Sequence, residues 1–104
     1  NEYDLIIAVA NWPRPRREVF RTLLRARAME NLSYVIGVNR VGEDPNRLVY
    51  SGDSVIIDPR GKALVEAEEG ADTVITATLD YAPLQDLRQK FPVWADADPF
   101  LLQI

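Results

Sequence analysis

Asp4-Leu-Ile-Ile-Ala-Val-Ala10 is almost continuously apolar and rich in branched residues, and its lack of polar alternation fits a strand covered on both faces. Such a strand needs layers on both sides. Asn11-Trp-Pro-Arg-Pro15 ends it, because proline lacks the N–H a ladder requires and disfavours helix in the residue before it. Arg16 to Asn31 then carries helical periodicity, and a second strand is expected from about Tyr34 to Asn39. The opening therefore predicts a strand-helix-strand crossover, right-handed by the general rule for parallel neighbours.

Beyond Gly42 the pattern changes. Glu43-Asp-Pro-Asn46 is a loop signal, and Ser54 to Asp58, Lys62 to Ala67 and Thr73 to Leu79 read as short strands. Pro59-Arg-Gly61 and Glu68-Glu-Gly70 supply the turns between them, so this half predicts an antiparallel meander. Ala82 to Lys90 fits a short helix, and Phe91-Pro-Val-Trp94 with Phe100-Leu-Leu102 forms an apolar tail too short to build a unit of its own. No repeat or linker interrupts the chain. The expectation is one α/β unit over residues 1–104.

A wheel at about 100° per residue puts Arg14, Arg17, Arg21 and Arg25 on one side of the first helix and Val19, Phe20, Leu23, Leu24 and Ala26 on the other. The arginines read mainly as a solvated face, with an anion or a partner chain as the other possibility. Arg27, Glu30 and Asn31 project into the apolar arc. Buried charge is costly unless paired, so these three are expected to satisfy one another in a mostly buried cluster.

Composition narrows the chemistry. With 47% apolar and 27% charged residues the chain is that of a globular protein. A net charge of -4 and a pI near 4.7 argue against a polyanionic partner, so neither nucleic acid nor an anionic membrane is expected. The longest apolar run, Leu5 to Ala10, is too short to span a bilayer, and no leader pattern opens the sequence, so a soluble cytoplasmic protein is expected. The chain has no Cys and no His, which removes disulfides, the usual zinc sites, a thiolate nucleophile and a Ser-His-Asp relay from its own repertoire. No metal or cofactor is expected, and no residue of this chain is assigned a catalytic role. Ser54 has no base to activate it and reads as a structural hydrogen-bonding residue.

Four short patterns stand in order: Asn11-Trp12-Pro13 after the first strand, Arg27-Ala-Met-Glu-Asn31 ending the helix, Asn39-Arg-Val-Gly42 after the second strand, and Gly52-Asp-Ser-Val-Ile-Ile-Asp-Pro-Arg-Gly61. Together they resemble the C-terminal half of the nitrilase superfamily, the amidases and related carbon-nitrogen hydrolases. Lys90-Phe-Pro-Val-Trp94 with Asp96-Ala-Asp98 resembles the omega-amidase branch, which hydrolyses the terminal amide of 2-oxo acid amides such as 2-oxoglutaramate. The resemblance implies the C-terminal portion of a four-layer α-β-β-α sandwich and a Glu-Lys-Cys catalytic set. In that set the Cys attacks the amide carbon, the Glu moves protons and the Lys stabilises the oxyanion.

No position here matches those three residues, and the resemblance places the Cys shortly before Asn1. The chain is therefore expected to be a fragment, inactive alone, whose partners are the missing N-terminal half of the same domain, a small-molecule amide and a second copy in a homo-oligomer such as a dimer. Asn11, Trp12 and Pro13 are the candidate substrate-binding residues, because ligands gather beyond the carboxyl ends of parallel strands. Trp12 offers a rigid apolar wall, Asn11 can donate and accept, and Pro13 holds the loop angle. The competing reading makes Trp12 plain core packing. An alternative for the whole chain is a stand-alone binding or assembly module.

Overall fold

The computed structural model describes residues 2–104. Leu5–Ala10 forms β1, Arg17–Asn31 α1, Tyr34–Asn39 β2, Val41–Glu43 β3, Val49–Ser51 β4, Val55–Ile57 β5, Ala63–Glu66 β6 and Tyr81–Lys90 α2. One sheet runs β1-β2-β5-β6, and β3 pairs with β4 in a separate hairpin. β1 and β2 are parallel, in register from Leu5 opposite Tyr34 to Ala10 opposite Asn39. β5 is antiparallel to β2, and β6 to β5. The crossover from β1 through α1 to β2 and the hairpin about Pro59-Arg-Gly61 thus form as their sequences predict. In that turn Asp58 accepts from the backbone N–H groups of Arg60 and Lys62, and Gly61 takes a φ of +82°, a conformation that favours glycine.

The core lies between α1 and the sheet. Phe20, Leu24 and Ala28 of α1 meet Val35, Val55 and Ile57, with Ile6, Ala8 and Ala10 of β1 packed against them. At Gly37 the side chains of α1 press on β2: an added Cβ would stand 2.4 Å from the Leu24 Cδ1 and 3.3 Å from the Phe20 ring. A larger residue there would force those side chains to shift.

Four expectations are corrected. β1 is covered on one face only among the described residues: Ile6, Ala8 and Ala10 face the core, while Ile7 is 59% and Val9 81% exposed. Thr73 to Leu79 makes no strand; Ile75, Ala77 and Leu79 are partly buried in alternation with exposed neighbours, but no described strand lies beside them. An extended segment becomes a strand only with a partner for its backbone groups. Its alternation is therefore real without a ladder.

The third and fourth corrections share one cause. α1 is turned roughly a quarter turn from the phase its apolar residues suggest, which leaves Val19 and Leu23 half-exposed and brings Arg17 and Arg21 inward. Arg27 and Glu30 are consequently exposed and Asn31 half-buried, so the three form no buried cluster. Arg27 and Glu30 form an ion pair, and the Asn31 amide donates to the Arg27 carbonyl. Exposed pairs of this spacing contribute about 0.2 to 0.5 kcal/mol, so the cluster has no large architectural weight. The arginine face, in turn, is not simply solvated. Arg17 and Arg21 answer a buried carboxylate, and that partner overrides helix periodicity.

The slab is thin for its breadth. Its extents are 47 × 40 × 18 Å and its radius of gyration is 16.0 Å, against about 13 Å for a compact domain of this length. The sheet face opposite α1 carries the exposed Ile7 and Val9.

Candidate functional site

Parts of three of the four sequence patterns meet at the end of β1: Asn11-Trp12-Pro13, Asn39, and Gly52 with Ser54. The parallel ladder stops at Ala10 opposite Asn39, the chain leaves the sheet at Asn11, and Pro13 leads into a single tight turn, Arg14–Arg16, before α1. Asn11 is exposed, Trp12 half-buried and Pro13 buried. The Trp12 indole N–H donates to the Arg16 carbonyl at 2.6 Å, its ring lies 5.8 Å from that of Phe20, and the Arg16 guanidinium sits over it at 5.3 Å. One side of Trp12 is therefore core packing, its ring seated against Phe20 of α1 and Arg16 of the turn before it. Trp12 also borders an apolar cavity of about 190 Å³ with Ala8, Ala10, Phe20, Leu23, Leu24 and Arg27. Asn11 makes no side-chain hydrogen bond among the described residues, which leaves its amide available.

Asn39 holds this loop, a role its sequence pattern did not reveal. Its Oδ1 accepts from the Trp12 N–H at 2.8 Å, and its Nδ2 donates to the carbonyls of Trp12 at 2.9 Å and Gly52 at 3.0 Å. The side-chain amide continues the ladder for one residue after the backbone pairing has ended. Its two ends cannot be exchanged, because two carbonyls require a donor and one N–H requires an acceptor. Ser54 secures Asn39 from behind: its Oγ accepts from the Asn39 N–H at 3.0 Å and lies 3.3 Å from the Asn39 carbonyl. The structural reading of Ser54 agrees with this geometry.

Asp53 is the electrostatic centre. It is 1% exposed, accepts from the Arg17 guanidinium at 2.5 and 3.1 Å, and accepts from the Ser51 hydroxyl at 2.5 Å. Arg21 stands 3.8 Å away and pairs with Glu66 at 2.5 Å. Burial alone pushes the Asp53 carboxyl up, but the hydrogen bonds from Arg17 and Ser51 and the charges of Arg17 and Arg21 outweigh it, holding the group below the ordinary carboxylate range. The same hydrogen bond raises the Arg17 guanidinium above its usual value. Asp53 is thus a fixed anion that anchors the first turn of α1 to the β4–β5 bend. It does not titrate as a general base near neutrality.

The open cleft beside this anchor, about 550 Å³, is lined by Arg14, Arg17, Arg47, Leu48, Val49 and Glu69 among others. Its charges are already matched: Glu69 pairs with Arg14 at 2.9 Å and Arg17 at 3.1 Å, and Arg47 lies 3.6 Å from Glu43. No group of three or more metal-ligating side chains occurs among the described residues, and none of their helices is long and apolar enough to cross a membrane. The arrangement offers a rigid loop, an aromatic wall and one free amide.

The chain is 50% identical over 102 residues to the omega-amidase YafV of Escherichia coli (strain K12), a match that takes in 98% of this chain and 40% of the relative. It is 36% identical over 95 residues to the 2-oxoglutaramate amidase of Bacillus subtilis (strain 168), covering 89% of this chain and 35% of that protein. The solved structure of XC1258 from Xanthomonas campestris, a CN-hydrolase superfamily protein with an arsenic adduct in its active site, superposes with a TM-score of 0.91 at 48% identity, over 98% of this chain and 38% of that one. The chain thus spans about 40% of the length of the Escherichia coli omega-amidase relatives it matches. The sequence pattern of the carbon-nitrogen hydrolases matches residues 1–89. With that pattern across most of its length and with the nitrilase-superfamily fold, this chain belongs to the carbon-nitrogen hydrolase family.

Proposed function

We propose that this chain is the non-nucleophilic part of an omega-amidase, one that hydrolyses the terminal amide of small 2-oxo acid amides. The observation that carries the reading is the 50% identity to an omega-amidase across 98% of the chain. On this reading a Glu-Lys-Cys set lies upstream of Asn1. The Cys thiolate forms a bond to the amide carbon, ammonia leaves with a proton delivered by the Glu, and water releases the acid from the thioester. This chain contributes the sheet against which that set is built and the loop that closes one side of the pocket.

The role assigned to Asn11-Trp12-Pro13 is to line that pocket. Support comes from the position of the loop just past the carboxyl end of β1, the free amide of Asn11, and the fixed indole of Trp12. Trp12 gives an apolar wall that loses little freedom when substrate arrives, since its ring is already held by Phe20 and Arg16. A second copy of the protein and the upstream half of the domain are the proposed partners, and the exposed sheet face at Ile7 and Val9 suits coverage by the latter.

Ammonia release from 2-oxoglutaramate tests the activity. The full-length protein is expected to turn over, and the 104-residue chain alone is expected to release none above buffer, because it holds no thiol. Turnover by the chain alone that survives repurification would overturn the division of labour. In the full-length protein, Trp12→Leu and Asn11→Ala are each expected to lower kcat/KM per folded molecule by about tenfold, Asn11→Ala with little loss of stability, as contacts to substrate would require. Variants that unfold more readily while their folded fraction keeps normal kinetics would return the loop to core packing.

A further inference from the structure

We infer that Asn39 is a positioning residue, which sets the angle of the Trp12 wall and through it the fit of substrate. The inference rests on the pocket reading of the Asn11-Trp12-Pro13 loop and goes beyond it by naming what holds the loop.

The argument begins with what the loop lacks. β1 ends at Ala10, Pro13 has no N–H, and the residues between would otherwise depend on water for their backbone groups. Asn39 supplies both partners of Trp12 from one planar side chain, at 2.8 Å to its N–H and 2.9 Å to its carbonyl. Gripping one residue's peptide groups on both sides fixes its φ and ψ, and with them the direction of its Cα–Cβ bond. The third bond, to the Gly52 carbonyl at 3.0 Å, stops the amide from rotating away.

Gly52 is itself confined. It has a φ of +75°, and an added Cβ there would lie 2.7 Å from the Val41 side chain. The next residue, Asp53, is held by Arg17. The clamp is therefore mounted on rigid supports, which is the condition for sub-ångström placement of a pocket wall. Other residues at position 39 fail for stated reasons. Asp keeps the acceptor for the Trp12 N–H but turns an oxygen toward two carbonyls, and Leu offers neither function.

A contact wall that meets substrate equally in the ground state and the transition state changes KM and leaves kcat alone. Loss of folded protein does the opposite. In the full-length protein, Asn39→Asp is expected to raise KM for 2-oxoglutaramate by about tenfold while kcat per folded molecule stays within about twofold. Placed in a Trp12→Leu background, the same substitution is expected to raise KM by no more than about twofold, because residues that act through one another are not additive.

If Asn39→Asp folds too poorly to assay, Asn39→Ser is carried through the same cycle; it is small enough to be tolerated and too short to reach Trp12. Equal effects of the Asn39 substitution in both backgrounds, or a fall in kcat at constant KM, would overturn the inference. Failure of the pocket reading looks different: there, Trp12→Leu by itself leaves KM unchanged.

Discussion

Arg17→Met is expected to lower the unfolding free energy by about 3 to 5 kcal/mol at neutral pH, because it strands a carboxylate in the interior. Asp53 is 1% exposed and Arg17 supplies two of its hydrogen bonds. After the substitution it retains only the Ser51 hydroxyl and the more distant Arg21, at 3.8 Å. Methionine preserves much of the packing volume, so the measured loss reports on charge more than on a cavity.

The pH dependence gives a signature specific to this pair. In the wild type the folded Asp53 titrates below its ordinary range, so between that value and about 3.9 the unfolded chain binds more protons and stability rises with pH. The contribution of the pair is complete above the unfolded value and is lost as pH falls through the folded one. In the variant, burial dominates and the folded pKa moves up. Protonation then relieves the stranded charge in the native state, and the sign reverses. Urea denaturation at several pH values should show a gap between variant and wild type that is widest at pH 7 and shrinks on acidification toward pH 4. A gap independent of pH would mean that Asp53 is not the group left unpaired.

Arg88→Ala is expected to cost about 2 to 4 kcal/mol, from charge-assisted hydrogen bonds that no other side chain can replace. The Arg88 guanidinium donates to the Leu32 carbonyl at 3.0 Å, the Tyr3 carbonyl at 2.8 Å and the Asp4 carboxylate at 2.5 Å. It ties α2 to the exit of α1 and the entrance of β1 at once. Asp4 is half-exposed, so that ion pair contributes little, and the weight rests on the two carbonyls. Leu32 caps α1 in a left-handed conformation, with a φ of +42°, so losing a bond to its carbonyl releases a strained residue. Arg88→Lys keeps the charge but not the fork, and should recover less than half of the loss. A lysine variant as stable as wild type would show that charge alone suffices.

The legible parts of the fold were those fixed by local chemistry. Branched apolar residues from Leu5 to Ala10, proline at 13, and the Asp58-Pro59-Arg60-Gly61 turn each carry their conformation in their own covalent structure. What escaped was set by partners distant in sequence. Arg17 reads as a surface residue until Asp53, 36 residues on, is brought beneath it. The phase of α1, which buries Phe20, Leu24 and Ala28 and leaves Arg27 and Glu30 exposed, accords with that pairing. Thr73 to Leu79 has the alternation of a strand, but no periodicity can supply a neighbour.

The candidate site divides the same way. Asn11, Trp12 and Pro13 could be singled out from their place after a strand. Asn39 could be noticed only as part of a pattern, since nothing in Asn39-Arg-Val-Gly42 says that its amide reaches back to Trp12.

β1 stands at the margin of its sheet, with β2 as its one described neighbour. Its outer row of N–H and C=O groups has no strand beside it among the described residues. Leu5–Ala10 carries no charge and no proline, two of the devices by which proteins blunt an open edge. Short, uncharged, branched segments of this kind add to one another readily when their margins meet. The strand best suited to the interior of a wider sheet is therefore also a margin open to the addition of another strand wherever it is uncovered.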